Sequence, residues 1–239
     1  ALDQFSKVTK KIDEQTISEE NPMYFVFQLI LMLGFIPYRW MMYQSKYYGK
    51  TRAEIKEIGL SSENSKKLLL QLGIFGILRT VFLKRMESSV SALRSSLETY
   101  SKKLELFEKG INEGKVVSLK DLDALEASLG DEDLDVDPEA LEENTIENIE
   151  GKDYEIDIIK QDLQKEKELV MVIRKQLEIL AKDDSKIKCF GALLDTLQKN
   201  NPDKKVLVFS YCADTINYLE ETMSKYSSSV KKENVGKIK

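Results

Sequence analysis

Apolar positions recur at helical spacing along most of this chain. Met86, Val90, Leu93, Leu97, Tyr100, Leu104 and Phe107 alternate at four and three residues, which predicts a heptad seam on one long helix ending at Lys109-Gly110. Such a seam needs a partner, and Ile156, Ile159, Leu163, Val170, Ile173, Leu177 and Leu180 repeat the alternation, with Glu166 as the single polar interruption. Two helices of about 30 residues reach about 45 Å, so the pattern predicts an antiparallel coiled-coil-like arm projecting from a smaller helical body.

The body is expected upstream. Residues 1–20 are polar, with Leu2, Phe5 and Val8 at helical spacing. Asn21-Pro22 then opens an apolar helix, Met23 to Ile36, closed by Gly34 and Pro37. This run is shorter than the roughly 18–20 residues a bilayer requires and contains Gln28, so it is read as a core helix rather than a membrane span. Thr51 is placed to cap a helix starting near Arg52, and a Ser61 to Asn64 turn precedes apolar positions at Leu68, Leu69, Leu72, Phe75 and Leu78.

Two stretches break the helical rhythm. Residues 111–152, including DEDLDVDPEALEENTIENIEG, are acidic and poor in apolar residues, as expected of an exposed, mobile connection. Lys205 to Glu220, KVLVFSYCADTINYLE, reads instead as a buried strand turning into an amphipathic helix, the usual opening of a parallel α/β lobe. Before it, Asp183-Asp184-Ser185 caps a short helix, and the last residues are polar and expected to fray. The resulting division is 1–76 helical subdomain, 77–110 first arm helix, 111–152 linker, 153–182 second arm helix and 183–239 the start of the lobe. The fold class is mainly α with an incomplete α/β start.

Composition narrows the chemistry. The 239 residues carry a net charge of −5, which leaves room only for a local basic face. Histidine is absent, so triad hydrolases and most zinc enzymes are excluded. Cys189 and Cys212 have no CxxC spacing, which fits a reducing, cytoplasmic setting. Gly49-Lys50-Thr51 matches the end of a phosphate loop, but Gln44 stands where the first glycine belongs. Asp131, Asp133, Asp135 and Glu142 mimic a calcium loop, but Val136 replaces its glycine and Pro138 breaks its winding. Arg79, Lys84 and Arg85 fall within two turns of an apolar helix. They read either as ordinary arginine–carboxylate pairing or as a patch tracking a phosphate backbone, to which Lys204 and Lys205 add.

ILRTVFLKRMESSVSALRSSL, the helical arm and KVLVFSYCADTINYLEE, in this order, resemble the middle of Swi/Snf-like superfamily-two helicase ATPases, especially the bacterial RNA-polymerase-associated branch. The first block covers residues 77–97 and the second 205–222. The resemblance implies an internal piece between two RecA-like lobes of an ATP-dependent translocase on duplex nucleic acid, with DNA as the expected form. It places Ser210 near the nucleic-acid path. ATP and magnesium are implied for the intact protein and no cofactor for this piece, whose nucleotide loop, DExH carboxylates and arginine finger lie elsewhere; it is expected to hydrolyse nothing. A lone strand with two open edges also invites self-association. The rival class is a non-enzymatic scaffold whose helical arm binds another protein.

Overall fold

A computed structural model of the chain describes residues 22–58, 63–117, 146–149, 153–231 and 236. The N-terminal segment predicted to be helical, the calcium-loop look-alike and part of the tail predicted to fray lie outside these residues. The described chain is mainly helical, and none of its helices is long and apolar enough to cross a membrane.

The apolar run forms α1, Pro22–Met32, which buries Phe25, Val26, Leu29 and Ile30 on one face. It ends before Ile36 because Phe35 adopts a left-handed conformation, φ 47° and ψ 48°, and Pro37 starts a short 3-10 turn, Ile36–Tyr38. A second 3-10 turn, Trp40–Tyr43, rolls the aromatic segment inward, so that Trp40, Met41, Tyr43 and Tyr47 are buried. Thr51 caps α2, Arg52–Glu57, through a reciprocal capping box: its hydroxyl oxygen accepts from the Glu54 N–H, and its own N–H donates to the Glu54 carboxylate at 2.6 Å. The Gly-Lys-Thr triplet is therefore the entry to a helix and not a cradle for phosphates.

The seam predicted as one long helix is divided between two. Ser89 is extended, with φ −163° and ψ 161°, and its hydroxyl oxygen accepts from the Ala92 N–H, so α3, Glu63–Ser88, stops and α4, Val90–Asn112, begins. A serine at this point satisfies an N–H that a continuing helix would have bonded itself, and adjacent serines make the break inexpensive. Val90, Leu93, Leu97, Tyr100, Leu104 and Phe107 are all buried against α5, Ile156–Lys182. The two helices run antiparallel: Lys186, just past the end of α5, reaches the Ser88 carbonyl before α4, and Lys167 meets Glu108 near its other end. The pair does not stand clear of a body, because α1, the 3-10 turns and α3 pack around it in one continuous core.

The connection between α4 and α5 is more ordered at its ends than its charge suggests. Gly114, at φ 71°, turns the chain into β1, Lys115–Val117, which pairs antiparallel with β2, Ile146–Asn148, with Val116 opposite Glu147. Val116 and Ile149 are buried, which anchors the hairpin on the core. Residues 118–145 lie outside the described chain.

Asp184 caps α6, Ser185–Asn200, by accepting from the Ile187 N–H. The run 206–210 departs from expectation: it forms no strand and is not buried, with Leu207 65% and Phe209 88% exposed. The sheet among the described residues is the two-stranded β1–β2 pair, which this run does not join, and a strand cannot satisfy its backbone alone. The amphipathic helix after it does form as α7, Ala213–Tyr226. α6 and α7 share a small second core of Ile187, Leu194 and Met223, flanked by Phe190 and Tyr218. Gly191 lies directly on the Tyr226 carbonyl, where an added Cβ would overlap backbone. Gly191→Ala is therefore expected to lower stability by about 1–3 kcal/mol in urea unfolding, against a negligible change for Ala192→Ser on the exposed face of α6.

Candidate nucleic-acid interface

The break at Ser89 sets the geometry of the site. It leaves the basic end of α3 facing the first turn of α7, so the residues of the two sequence blocks meet. Arg85 Nη1 lies 2.5 Å from Asp214 Oδ2, with their side chains 9% and 31% exposed. Ser88 Oγ lies 2.6 Å from Thr215 Oγ1 and 3.3 Å from Ser210 Oγ, and Ser89 Oγ lies 2.8 Å from the same Thr215 hydroxyl. Ser210 Oγ in turn accepts from the Cys212 N–H at 3.2 Å. Lys186 crosses from α6 to donate to the Glu87 and Ser88 carbonyls, placing a cation on the negative end of α3.

The six candidate residues divide unequally. Arg85 directs its charge to Asp214, so for this residue ordinary ion pairing describes the geometry and no free guanidinium faces solvent. Ser210 is part of the hydroxyl cluster. Lys84 is exposed, with its ammonium 5.6 Å from the centroid of the Tyr211 ring. Lys204 and Lys205 are exposed at the head of the apolar run, and neither has a carboxylate partner among the described residues. Arg79 belongs to a different locale: its guanidinium stacks 4.1 Å from the Phe75 centroid and lies 3.4 Å from the Leu33 carbonyl, at the end of α1.

That second locale is organised by a carboxylate in the seam. Glu166 is buried, and its two oxygens accept from the Gly34 N–H at 2.7 Å, the Phe35 N–H at 2.7 Å and the Tyr100 hydroxyl at 2.6 Å. Burial pushes the Glu166 carboxyl above its ordinary value, outweighing the hydrogen bonds and the Arg39 charge that favour its ionised form. Burial, followed by the charge and hydrogen bond of Glu166, likewise raises the Tyr100 phenol. The sequence signal was the polar interruption itself; Arg39 and Gly34 gave none.

At the Gly49-Lys50-Thr51 triplet the Thr51 hydroxyl is engaged by Glu54 within the helix cap. No cluster of potential metal ligands exists among the described residues. No family model, curated protein or solved structure matches the chain.

Proposed function

We propose that this chain supplies the helical connection between the two motor lobes of a Swi/Snf-like, ATP-dependent translocase or remodeller of duplex DNA, without itself carrying catalytic residues. The observation that supports this reading is the docking of its two characteristic sequence blocks through Arg85–Asp214 and the Ser88–Ser89–Thr215 hydroxyls. In such a motor this joint fixes the start of the second lobe to the end of α3, so that a rotation of the lobe is transmitted to the helical body. The exposed run 206–209 is then the first strand of a sheet completed by the rest of that lobe. Lys84, Lys204 and Lys205 are its phosphate contacts.

A second reading, a non-enzymatic scaffold that binds another protein, draws support from α5. Met171 and Ile179, 64% and 51% exposed, lie two turns apart on its outer surface.

Duplex binding discriminates between them. Under the motor reading, affinity falls steeply with salt, and Lys84→Ala/Lys204→Ala/Lys205→Ala weakens binding and reduces the logarithmic salt slope by about 0.9 per lost phosphate contact. Fluorescence anisotropy of a labelled duplex reads both quantities. Unchanged affinity and slope in the triple variant would remove the interface, and the scaffold reading would take its place.

A further inference from the structure

Arg39 and Arg79 come from different elements and converge on one point of backbone. Arg79 Nη2 lies 3.4 Å from the Leu33 carbonyl, and Arg39 Nη2 lies 2.9 Å from the place where a Cβ on Gly34 would sit. Both guanidiniums also stack on the Phe75 ring, at 5.2 Å for Arg39 and 4.1 Å for Arg79. The absence of a side chain at Gly34 is what admits Arg39, because a Cβ there would crowd both the guanidinium and Glu166.

Two cations brought this close need negative charge, and the surroundings supply too little. Glu166 is the nearby carboxylate, but its oxygens already take three other donors and neither arginine forms an ion pair with it. The Nε atoms of Arg39 and Arg79 are both buried without a hydrogen-bond partner. Desolvation, and after it the Arg39 charge, pull the Arg79 guanidinium below its ordinary pKa, and the opposing charge of Glu166 does not make up the difference. Burying unpaired donors and like charges together is costly unless a ligand completes the site. Both residues keep part of their surface exposed, so solvent reaches them.

From these contacts we infer that Arg39 and Arg79 form an oxyanion site for a phosphate group, with Phe75 holding the two guanidinium planes. Guanidinium matches phosphate because its N–H donors lie in one plane and can bond two oxygens at once. The phosphate has two possible sources, free phosphate or the backbone of a nucleic acid. The second source rests on the duplex-binding reading above, and the first does not.

Thermal unfolding of the full chain is measured with inorganic phosphate against chloride at constant ionic strength, alongside anisotropy with the labelled duplex. A phosphate-dependent rise in the wild-type midpoint that is lost in Arg39→Gln and Arg79→Gln, and partly kept in Arg39→Lys, supports a site for free phosphate. No response to phosphate, together with duplex affinity lowered about tenfold by Arg39→Gln, supports a backbone phosphate at the same site. Far-UV circular dichroism shows that each variant is folded, and Arg39→Lys separates charge from packing. If Arg39→Gln and Arg79→Gln are folded and change neither response, the site does not exist. A phosphate response without any duplex binding would leave this site standing and sink the motor interface.

Discussion

Glu166→Ala is expected to destabilise the protein by about 3–5 kcal/mol, because it strands the Gly34 and Phe35 N–H groups and the Tyr100 hydroxyl in a dry interior. Those N–H groups belong to the turn that holds Phe35 at φ 47°, a conformation that a non-glycine residue keeps only when its neighbours impose it. Losing the carboxylate thus releases the turn as well as the bonds. Phe35, which packs edge-on to Phe82 at 5.1 Å and against Tyr100 at 5.2 Å, would lose its seat. Glu166→Gln keeps one acceptor oxygen and is expected to fall between the two. Guanidinium unfolding curves followed by circular dichroism measure both, and a change under 1 kcal/mol for Glu166→Ala would show that the turn holds itself.

The same residue makes stability depend on pH. A carboxyl raised on folding contributes stability that is fully present below its ordinary value of 4.5 and is lost as pH rises through the shifted value. Wild-type stability should therefore decline across that window, and Glu166→Gln should remove the decline.

Asp214→Ala is the second large effect, at about 3 kcal/mol, and it should exceed Arg85→Ala. Removing the aspartate leaves a guanidinium confined at 9% exposure with no anion, whereas removing the arginine leaves a carboxylate already 31% exposed that water can reach. The joint ties the small α6–α7 core to the end of α3, beside the packing of α7 on α4, so its loss should loosen that unit before the whole molecule. Cysteine reactivity provides the readout. Cys189 is exposed and Cys212 is 2% exposed, so an aromatic disulfide reagent should modify one thiol quickly in the wild type and both in Asp214→Ala. Equal protection of Cys212 in the two proteins would show that the apolar contacts of α7 hold the unit alone.

Much of the helical fold was legible because the burial of helix faces leaves a periodic trace. The seam residues of α4 and α5, the Thr51 and Asp184 caps and the faces of α1 and α7 all follow from spacing and capping chemistry that operate within a few residues. What spacing could not show was set by distant partners. The break at Ser89 leaves the heptad rhythm unaltered; what marks it is the extended backbone of Ser89 and the bond its hydroxyl accepts from the Ala92 N–H. The pairing of Lys115–Val117 with Ile146–Asn148 runs against the acidic composition between them, since two buried residues, Val116 and Ile149, suffice to anchor it. The apolar run at 206 was read from its composition as buried, but burial requires a neighbouring strand. Of the basic candidates, Arg85 illustrates the limit of reading charge from sequence: its partner, Asp214, stands 129 residues away.

Those long sequence separations govern the order of events during synthesis. The turn after α1 is complete only when Glu166 arrives, 131 and 132 residues later, and the end of α3 only when Asp214 and Thr215 have left the ribosome. At about 5–20 residues per second, α1 and α3 wait roughly 6–26 s with part of their apolar surface uncovered. During that interval the uncovered apolar surface is open to wrong partners, and the contacts that finish both helix ends are among the last that synthesis makes available.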